Sequence, residues 1–110
     1  MYQTLFLPHF KKQLKQQMKK YPSLKGGVLV ALKEFEKKQG VHLGRGVYKI
    51  RVRTADLNKG KSGSFRLFVL VIEVDDILIP IAIYFKGDQA DMNLKELNDH
   101  LDIIRFELQG

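Results

Sequence analysis

A row of basic residues in the middle of the sequence is the feature most capable of chemistry. Within residues 47–53, apolar or aromatic side chains alternate with Lys49, Arg51 and Arg53. Because alternate side chains of an extended strand point to the same face, the three cations would share one face. Cations that repel each other attract an anion such as phosphate. The pattern predicts a strand with an anion-binding face, and the alternative is a strand whose cations only block pairing at a sheet edge.

Arg66 is the second candidate, because it lies between Phe65 and Leu67 in an otherwise apolar run. A guanidinium that is removed from water needs a partner. A phosphate would satisfy it through two parallel hydrogen bonds. A carboxylate, Asp88 or Glu73, is an equally good partner by residue type, so both interpretations stay open at this point.

Positive charge is concentrated in the first part of the chain. The net charge is +7, but Met1 to Arg66 holds 16 basic and three acidic residues, whereas the remainder holds three basic and nine acidic residues. Lys59 and Lys61 lie in a glycine- and serine-containing loop at residues 54–64. Nucleic acid is the first partner to consider, since bound cations release counterions from phosphates. An anionic membrane surface, an acidic protein and simple solvation of surface lysines are the alternatives.

Composition excludes several kinds of chemistry. The chain has no cysteine, so disulfides, cysteine-containing zinc sites and thiol nucleophiles are excluded. His9, His42 and His100 do not have the spacing of metal ligands, and we expect neither a metal nor another cofactor. The longest apolar runs are far shorter than the ~20 residues that span a bilayer as a helix. We expect a cytoplasmic protein with a single domain over residues 1–110.

Two amphipathic helices are predicted near the N-terminus. Apolar side chains recur every three or four positions over residues 10–21, after Pro8, which suits the first turn of a helix. A second apolar stripe covers residues 24–35, with Ser23 as the expected N-cap and Gly40 as the expected end.

Strands and a last helix complete the prediction. The strands are expected at residues 2–7, 47–53, 65–74 and 77–85. Residues 41–46 are predicted to form a loop, Pro80 to cause a bulge or mark an edge, and Asn93 to cap the last helix. The fold class is therefore α+β, a small antiparallel-rich sheet with two N-terminal helices and one C-terminal helix.

Four segments together resemble a known family. They are residues 10–15, Tyr48 to Arg51, Lys59 to Arg66, and Ile83 to Lys86. In this combination they resemble the RelE/ParE superfamily of bacterial toxins, and within it the HigB/RelE-like branch. The order of predicted elements agrees with the fold that this resemblance implies.

The resemblance implies the toxin of a type II toxin–antitoxin system that cleaves mRNA, typically on the ribosome, and is silenced by a cognate antitoxin. The residues that match the family's basic and aromatic site positions are Lys49, Arg51, Arg66, Tyr84 and Lys86. Cleavage by the RNA's own 2′-hydroxyl needs a base, positive charge on the phosphate and an acid for the leaving oxygen.

In this interpretation each residue has a role. Lys49 is the base, because neighbouring cations favour the neutral form of a lysine, and Arg51 and Arg66 hold the phosphate oxygens. Lys86 is the general acid. Tyr84 stacks on a nucleobase of the RNA or donates a proton. Three further cations, Arg53, Lys59 and Lys61, would bind the RNA backbone.

Two other functions fit the same sequence. A ParE-like gyrase inhibitor has the same fold as the RNA-cleaving members. A non-catalytic RNA-binding or interaction domain would keep the basic surface without the reaction.

Overall fold

The computed structural model contains one mixed β-sheet with helices on both faces, and it describes residues 1–54, 65–87 and 92–110. The elements in chain order are β1 (Gln3–Thr4), α1 (Pro8–Met18), α2 (Leu24–Lys33), β2 (Val41–Gly44), β3 (Val47–Val52), β4 (Phe65–Ile72), β5 (Ile77–Phe85) and α3 (Leu94–Leu108). The strand order is β1-β5-β4-β3-β2, with β1 parallel to β5 and the other neighbours antiparallel. The predicted α+β class is confirmed. None of the described helices is long and apolar enough to cross a membrane.

Two apolar clusters, one on each face of the sheet, hold the helices in place. α1 and α2 pack on one face, where Ile50 and Val52 of β3 lie beside Phe65 and Leu67 of β4. α3 packs on the other face, against a cluster that includes Phe68 of β4. Since side chains of a strand alternate between faces, the residues of β4 that do not face α1 and α2 face the α3 side.

Four predicted boundaries differ from the structure. β1 and β4 are shorter than the predicted residues 2–7 and 65–74, and the other two differences lie between α2 and β3. Residues 41–46 are not a loop, because β2 pairs with β3 and a turn through Arg45 and Gly46, both with positive φ, joins them. β2 is largely exposed, so it lacks the alternation that would reveal it. The second helix ends at Lys33 rather than at Gly40, and a short 3-10 helix at Lys37–Gln39 follows it.

Local signals were more reliable at other positions. α1 begins at Pro8 as predicted. The Asn93 side chain accepts a hydrogen bond of 2.8 Å from the Glu96 N–H, which confirms the cap of α3, whereas the Ser23 side chain makes no such bond to α2. The pairing of β4 with β5 shifts register where Val69 lies opposite Pro80, which confirms the bulge.

A glutamine of α1 extends the bonding of β5 beyond its short parallel partner β1. The Gln13 side chain donates to the Ile81 carbonyl oxygen at 2.9 Å and accepts from the Ile83 N–H at 3.2 Å. β1 pairs with only Ile77 and Leu78 of β5. Because backbone groups that leave water must find partners, the amide of Gln13 substitutes for a neighbouring strand and fixes the second half of β5.

The start of α1 is tied to α3 through polar contacts. The His9 N–H donates to both carboxylate oxygens of Glu107, at 3.1 and 3.0 Å, which satisfies a free donor of the first helical turn.

The His9 and His100 rings are joined by a hydrogen bond of 2.7 Å between Nε2 of His9 and Nδ1 of His100. In that bond one ring donates and the other accepts, so at least one imidazole must be neutral. Burial, followed by the charge of His9, lowers the pKa of His100, while Glu96 and Asp99 oppose the shift.

At Gly27, α2 lies close to the end of β3. A Cβ added there would overlap with the carbonyl oxygen of Arg53, whereas one added at Gly26 would meet nothing within 4 Å. We expect Gly27→Ala to lower the free energy of unfolding by about 1–3 kcal/mol, because backbone must move to relieve the overlap. Gly26→Ala, the matched control, should raise it by about 0.5–1 kcal/mol, as alanine replaces glycine in a helix. Urea unfolding measures both changes, and equal effects of the two variants would contradict this packing.

The histidine pair predicts a pH dependence of stability. A histidine whose pKa is lower in the folded state stabilises the fold above its unfolded pKa of about 6.5 and loses that contribution as the pH falls. The free energy of unfolding should therefore fall between pH 7.5 and 5.5, and His100→Gln should flatten this slope. His42→Gln on β2 is the control. Urea titrations that give His100→Gln the same slope as the wild type would contradict the prediction.

Candidate functional site

The register of three strands aligns two arginines and a tyrosine. Arg51 of β3 lies opposite Arg66 of β4, and Arg66 lies opposite Tyr84 of β5. Directly paired residues point to the same face, with Cβ atoms about 4.5–5.5 Å apart in an antiparallel pair. The three side chains, which we call the Arg51–Arg66–Tyr84 row, therefore leave the sheet side by side on the α3 face.

Exposure to solvent decreases along this row. Arg51 is exposed, Arg66 is 9% exposed and Tyr84 is 6% exposed. Arg66 is the one charged residue among the described residues that is buried. The row thus runs from solvent at β3 to the interior at β5.

Three more of the predicted site residues, Lys49, Arg53 and Lys86, lie on or just after β3 and β5. Lys49 is half-buried and lies two positions before Arg51 on the same strand, so the two side chains share a face about 7 Å apart. Arg53 and Lys86 are exposed and follow the ends of β3 and β5. Lys59 and Lys61 lie outside the described residues. The strand register therefore brings Lys49, Arg51 and Arg66 together with Tyr84, and among the described residues Arg53 and Lys86 lie just beyond the strand ends.

Tyr84 presents its ring to the protein rather than to solvent. Its ring stacks on Phe68, with centroids 5.9 Å apart and an angle of 27° between the planes. Both residues belong to the apolar cluster under α3. The ring of Tyr84 is therefore part of the packed interior on this face of the sheet.

Some of the site residues interact with other groups of the protein, and others make no ion pair. Lys49, Arg66 and Tyr84 each take part in an interaction within the protein. In the described ranges Arg51 and Arg53 make no ion pair with an acidic side chain. These two exposed arginines are thus available for an external anion.

The pairing of Arg66 with Glu73 is wrong. Glu73 lies just after β4 and forms an ion pair with Lys37, and the Tyr2 hydroxyl donates to it at 3.2 Å. The hydrogen bond from Lys37 lowers the pKa of Glu73, and the same bond raises the pKa of Lys37. The other proposed carboxylate, Asp88, lies outside the described residues.

A groove beside β3 continues the site toward α2. It has a volume of about 630 Å³, and its lining includes Gly27 and Val30 of α2 as well as Arg51, Arg53 and Ile50. Pairing with β2 reaches only Lys49, so within the described residues this side of β3 is a sheet edge beyond that point. The close approach at Gly27 sets the width of this groove, because it determines how near the helix lies to the strand.

Sequence reasoning missed the contacts that join distant segments. The His9–His100 pair links positions 91 residues apart, and the Gln13 side chain bonds to a strand 68 to 70 residues later. No spacing in the sequence identifies such pairs. Only the amphipathic pattern of α1, with Gln13 beside the buried Leu14, hints that the glutamine lies near the sheet.

The fold of this protein is similar to that of a known toxin, although comparisons of the sequence alone find no match. No family model matches the sequence, and no curated protein matches it. Among solved structures, a mutant of the Escherichia coli toxin RelE in the free state is similar, with a TM-score of 0.50 and 17% sequence identity over 81% of this chain and 87% of the RelE chain. At this identity the likeness concerns the fold, and the protein has a RelE-like fold.

Proposed function

We propose that this protein is an mRNA endoribonuclease that works without a metal, the toxin of a type II toxin–antitoxin system in the HigB/RelE-like branch. It acts in the cytoplasm on mRNA held by the ribosome, and a cognate antitoxin neutralises it. The observation that carries the proposal is the Arg51–Arg66–Tyr84 row on the α3 face of a RelE-like sheet.

The reaction is a transfer within the RNA strand. The 2′-oxygen attacks the adjacent phosphorus, the bond from phosphorus to the 5′-oxygen breaks, and the products are a 2′,3′-cyclic phosphate and a 5′-hydroxyl. Lys49 takes the proton of the 2′-hydroxyl as the base. Its place on the same face as Arg51, two residues away, suits a group that acts on an atom next to the bound phosphate.

Arg51 and Arg66 stabilise the charge that develops on the phosphate. Arg66 is held in a buried position, so its donors are oriented before the substrate arrives, and electrostatic stabilisation is strongest where water is excluded. Arg51 is exposed and binds the same phosphate from the solvent side. Removing one such donor typically slows the reaction about 10²–10³-fold.

The leaving 5′-oxygen needs a proton, and two residues of β5 or its end can supply it. Lys86 is exposed at the end of the strand, and the Tyr84 hydroxyl is buried in the row. Burial of the Tyr84 ring against Phe68 favours a role for its hydroxyl over stacking of an RNA base. Arg53, with Lys59 and Lys61, would bind the backbone and mainly affect affinity and its salt dependence.

Substitution of Arg51 tests the proposal without disturbing the interior, because this side chain is exposed. We expect Arg51→Gln to reduce cleavage of ribosome-bound mRNA about 10²–10³-fold, with unchanged urea stability. Arg66→Lys keeps the charge but cannot donate two parallel hydrogen bonds to one phosphate, so this variant should also lose activity. New 5′ ends, mapped in single-turnover reactions, measure the rate.

Lys33→Gln at the end of α2 is the control and should cleave like the wild type. Wild-type rates in Arg51→Gln and Arg66→Lys would contradict the proposed site. RNA that shifts in a gel without new 5′ ends would instead indicate a binding domain. Inhibition of DNA supercoiling when the protein is added to purified gyrase would indicate the ParE-like alternative.

A further inference from the structure

Two histidines join the first helix of the protein to the last. Nε2 of His9 on α1 lies 2.7 Å from Nδ1 of His100 on α3, and both side chains are half-buried. The ring centroids are 5.0 Å apart, much farther than the two nitrogens, so the rings meet with these nitrogens foremost. Each nitrogen is therefore directed at the other across a short gap.

This gap has nearly the width that a metal ion bound to two imidazoles requires. Neutral imidazole is the commonest metal ligand among protein side chains. Two nitrogens bound to one tetrahedral Zn²⁺, at Zn–N distances of about 2.0–2.1 Å, are about 3.3 Å apart. The rings would have to separate by about 0.6 Å and tilt, which needs only small rotations of two half-buried side chains.

The fold creates this pair of ligands, and the sequence gives no sign of it. The two histidines are 91 positions apart, which is why their spacing predicted no metal site. Within residues 1–54, 65–87 and 92–110, no group of three or more histidines and acidic residues is arranged to hold a metal ion. The pair would supply two ligands and water the others, so the site is open, unlike the closed four-ligand sites of structural zinc.

The charges around the pair favour a cation. Glu107 of α3 accepts hydrogen bonds of 3.1 and 3.0 Å from the His9 N–H, which holds its carboxylate at the start of α1. Glu96 lies one turn before His100 on the same face of α3. In the described ranges neither glutamate makes an ion pair with a lysine or arginine. Lys12, one turn after His9, opposes them, but it is exposed and its charge is screened by water.

We propose that His9 and His100 together bind a late first-row divalent metal ion, of which zinc is the representative. The ion binds Nε2 of His9 and Nδ1 of His100 in place of the hydrogen bond between them. Both imidazoles are then neutral, and the remaining proton of each ring lies on its other nitrogen. Because imidazole suits zinc, copper and nickel, whereas Mg²⁺ prefers oxygen ligands, magnesium should not bind.

The bound ion would join α1 to α3. The two ligands meet only in the folded chain, so metal binding stabilises the fold. The site contains no residue of the Arg51–Arg66–Tyr84 row, and it takes no part in the proposed cleavage. The metal proposal therefore does not rest on the proposed function, and either one can fail alone.

Zinc binding to the full chain, prepared without a polyhistidine tag in metal-free buffer, tests the proposal. We expect calorimetry to show one Zn²⁺ per chain. At free Zn²⁺ ten times the measured dissociation constant, the melting temperature should rise by about 4–8 °C. Mg²⁺ at the same concentration should leave the melting temperature unchanged and should not displace zinc.

The third histidine of the chain provides the matched control. His9→Gln and His100→Gln should each weaken zinc binding at least about ten-fold, because loss of even a partner of a metal ligand typically costs about 10–100-fold. His42→Gln, on the exposed strand β2, should bind zinc like the wild type. The zinc-induced rise in melting temperature is measured for each variant against its own metal-free value, so a less stable variant remains informative.

His100→Cys gives a spectroscopic signature that a purely structural histidine would not. His100 faces the pair through Nδ1, the ring nitrogen nearer to the backbone, so a thiolate sulfur at this position can bind the same ion. With Co²⁺ as the probe, this variant should show sulfur-to-cobalt charge-transfer absorption, and His9→Gln in the same chain should abolish it.

Three results would overturn the proposal. They are the absence of zinc binding by the wild type, an equal loss of binding in His42→Gln and His100→Gln, and charge-transfer absorption in His100→Cys that does not depend on His9. Displacement of zinc by an equal concentration of Mg²⁺ would also overturn it, because it would indicate a site made of carboxylates alone.

Discussion

The pairing register of β3, β4 and β5 is the constraint on which the candidate site depends. A shift of one residue between β3 and β4 would turn Arg51 toward α2 and leave Arg66 opposite an apolar residue. The apolar side chains fix the register, because Ile50 and Leu67 must remain in the cluster under α1 and α2. Burial of the core thereby determines where the cations lie.

Two contacts from the helical layer hold the outer strands of this arrangement. The Gln13 amide bonds to β5 where β1 has ended, and the absence of a Cβ at Gly27 lets α2 lie against the end of β3. The helices thus support the site from the opposite face without contributing a side chain to the row.

Much of the local structure follows from the sequence, and the long-range contacts do not. The alternation at residues 47–53 predicts the shared face of Lys49 and Arg51, because strand periodicity is a local property. The neighbours of Arg66 were not predictable, since register depends on turns and on packing across the sheet. β2 escaped prediction because an exposed strand shows no apolar alternation. The His9–His100 contact escaped because its members are 91 positions apart.

The proposed chemistry requires that the Arg51–Arg66–Tyr84 row acts on a phosphodiester whose own 2′-oxygen is the nucleophile. The most direct measurement is cleavage of an mRNA that carries a single 2′-deoxynucleotide at a mapped cleavage site. We expect cleavage to stop at this linkage and to continue at other sites, where it leaves 2′,3′-cyclic phosphate and 5′-hydroxyl ends. Undiminished cleavage at the deoxynucleotide would contradict this mechanism, because that linkage has no 2′-oxygen that could attack the phosphorus.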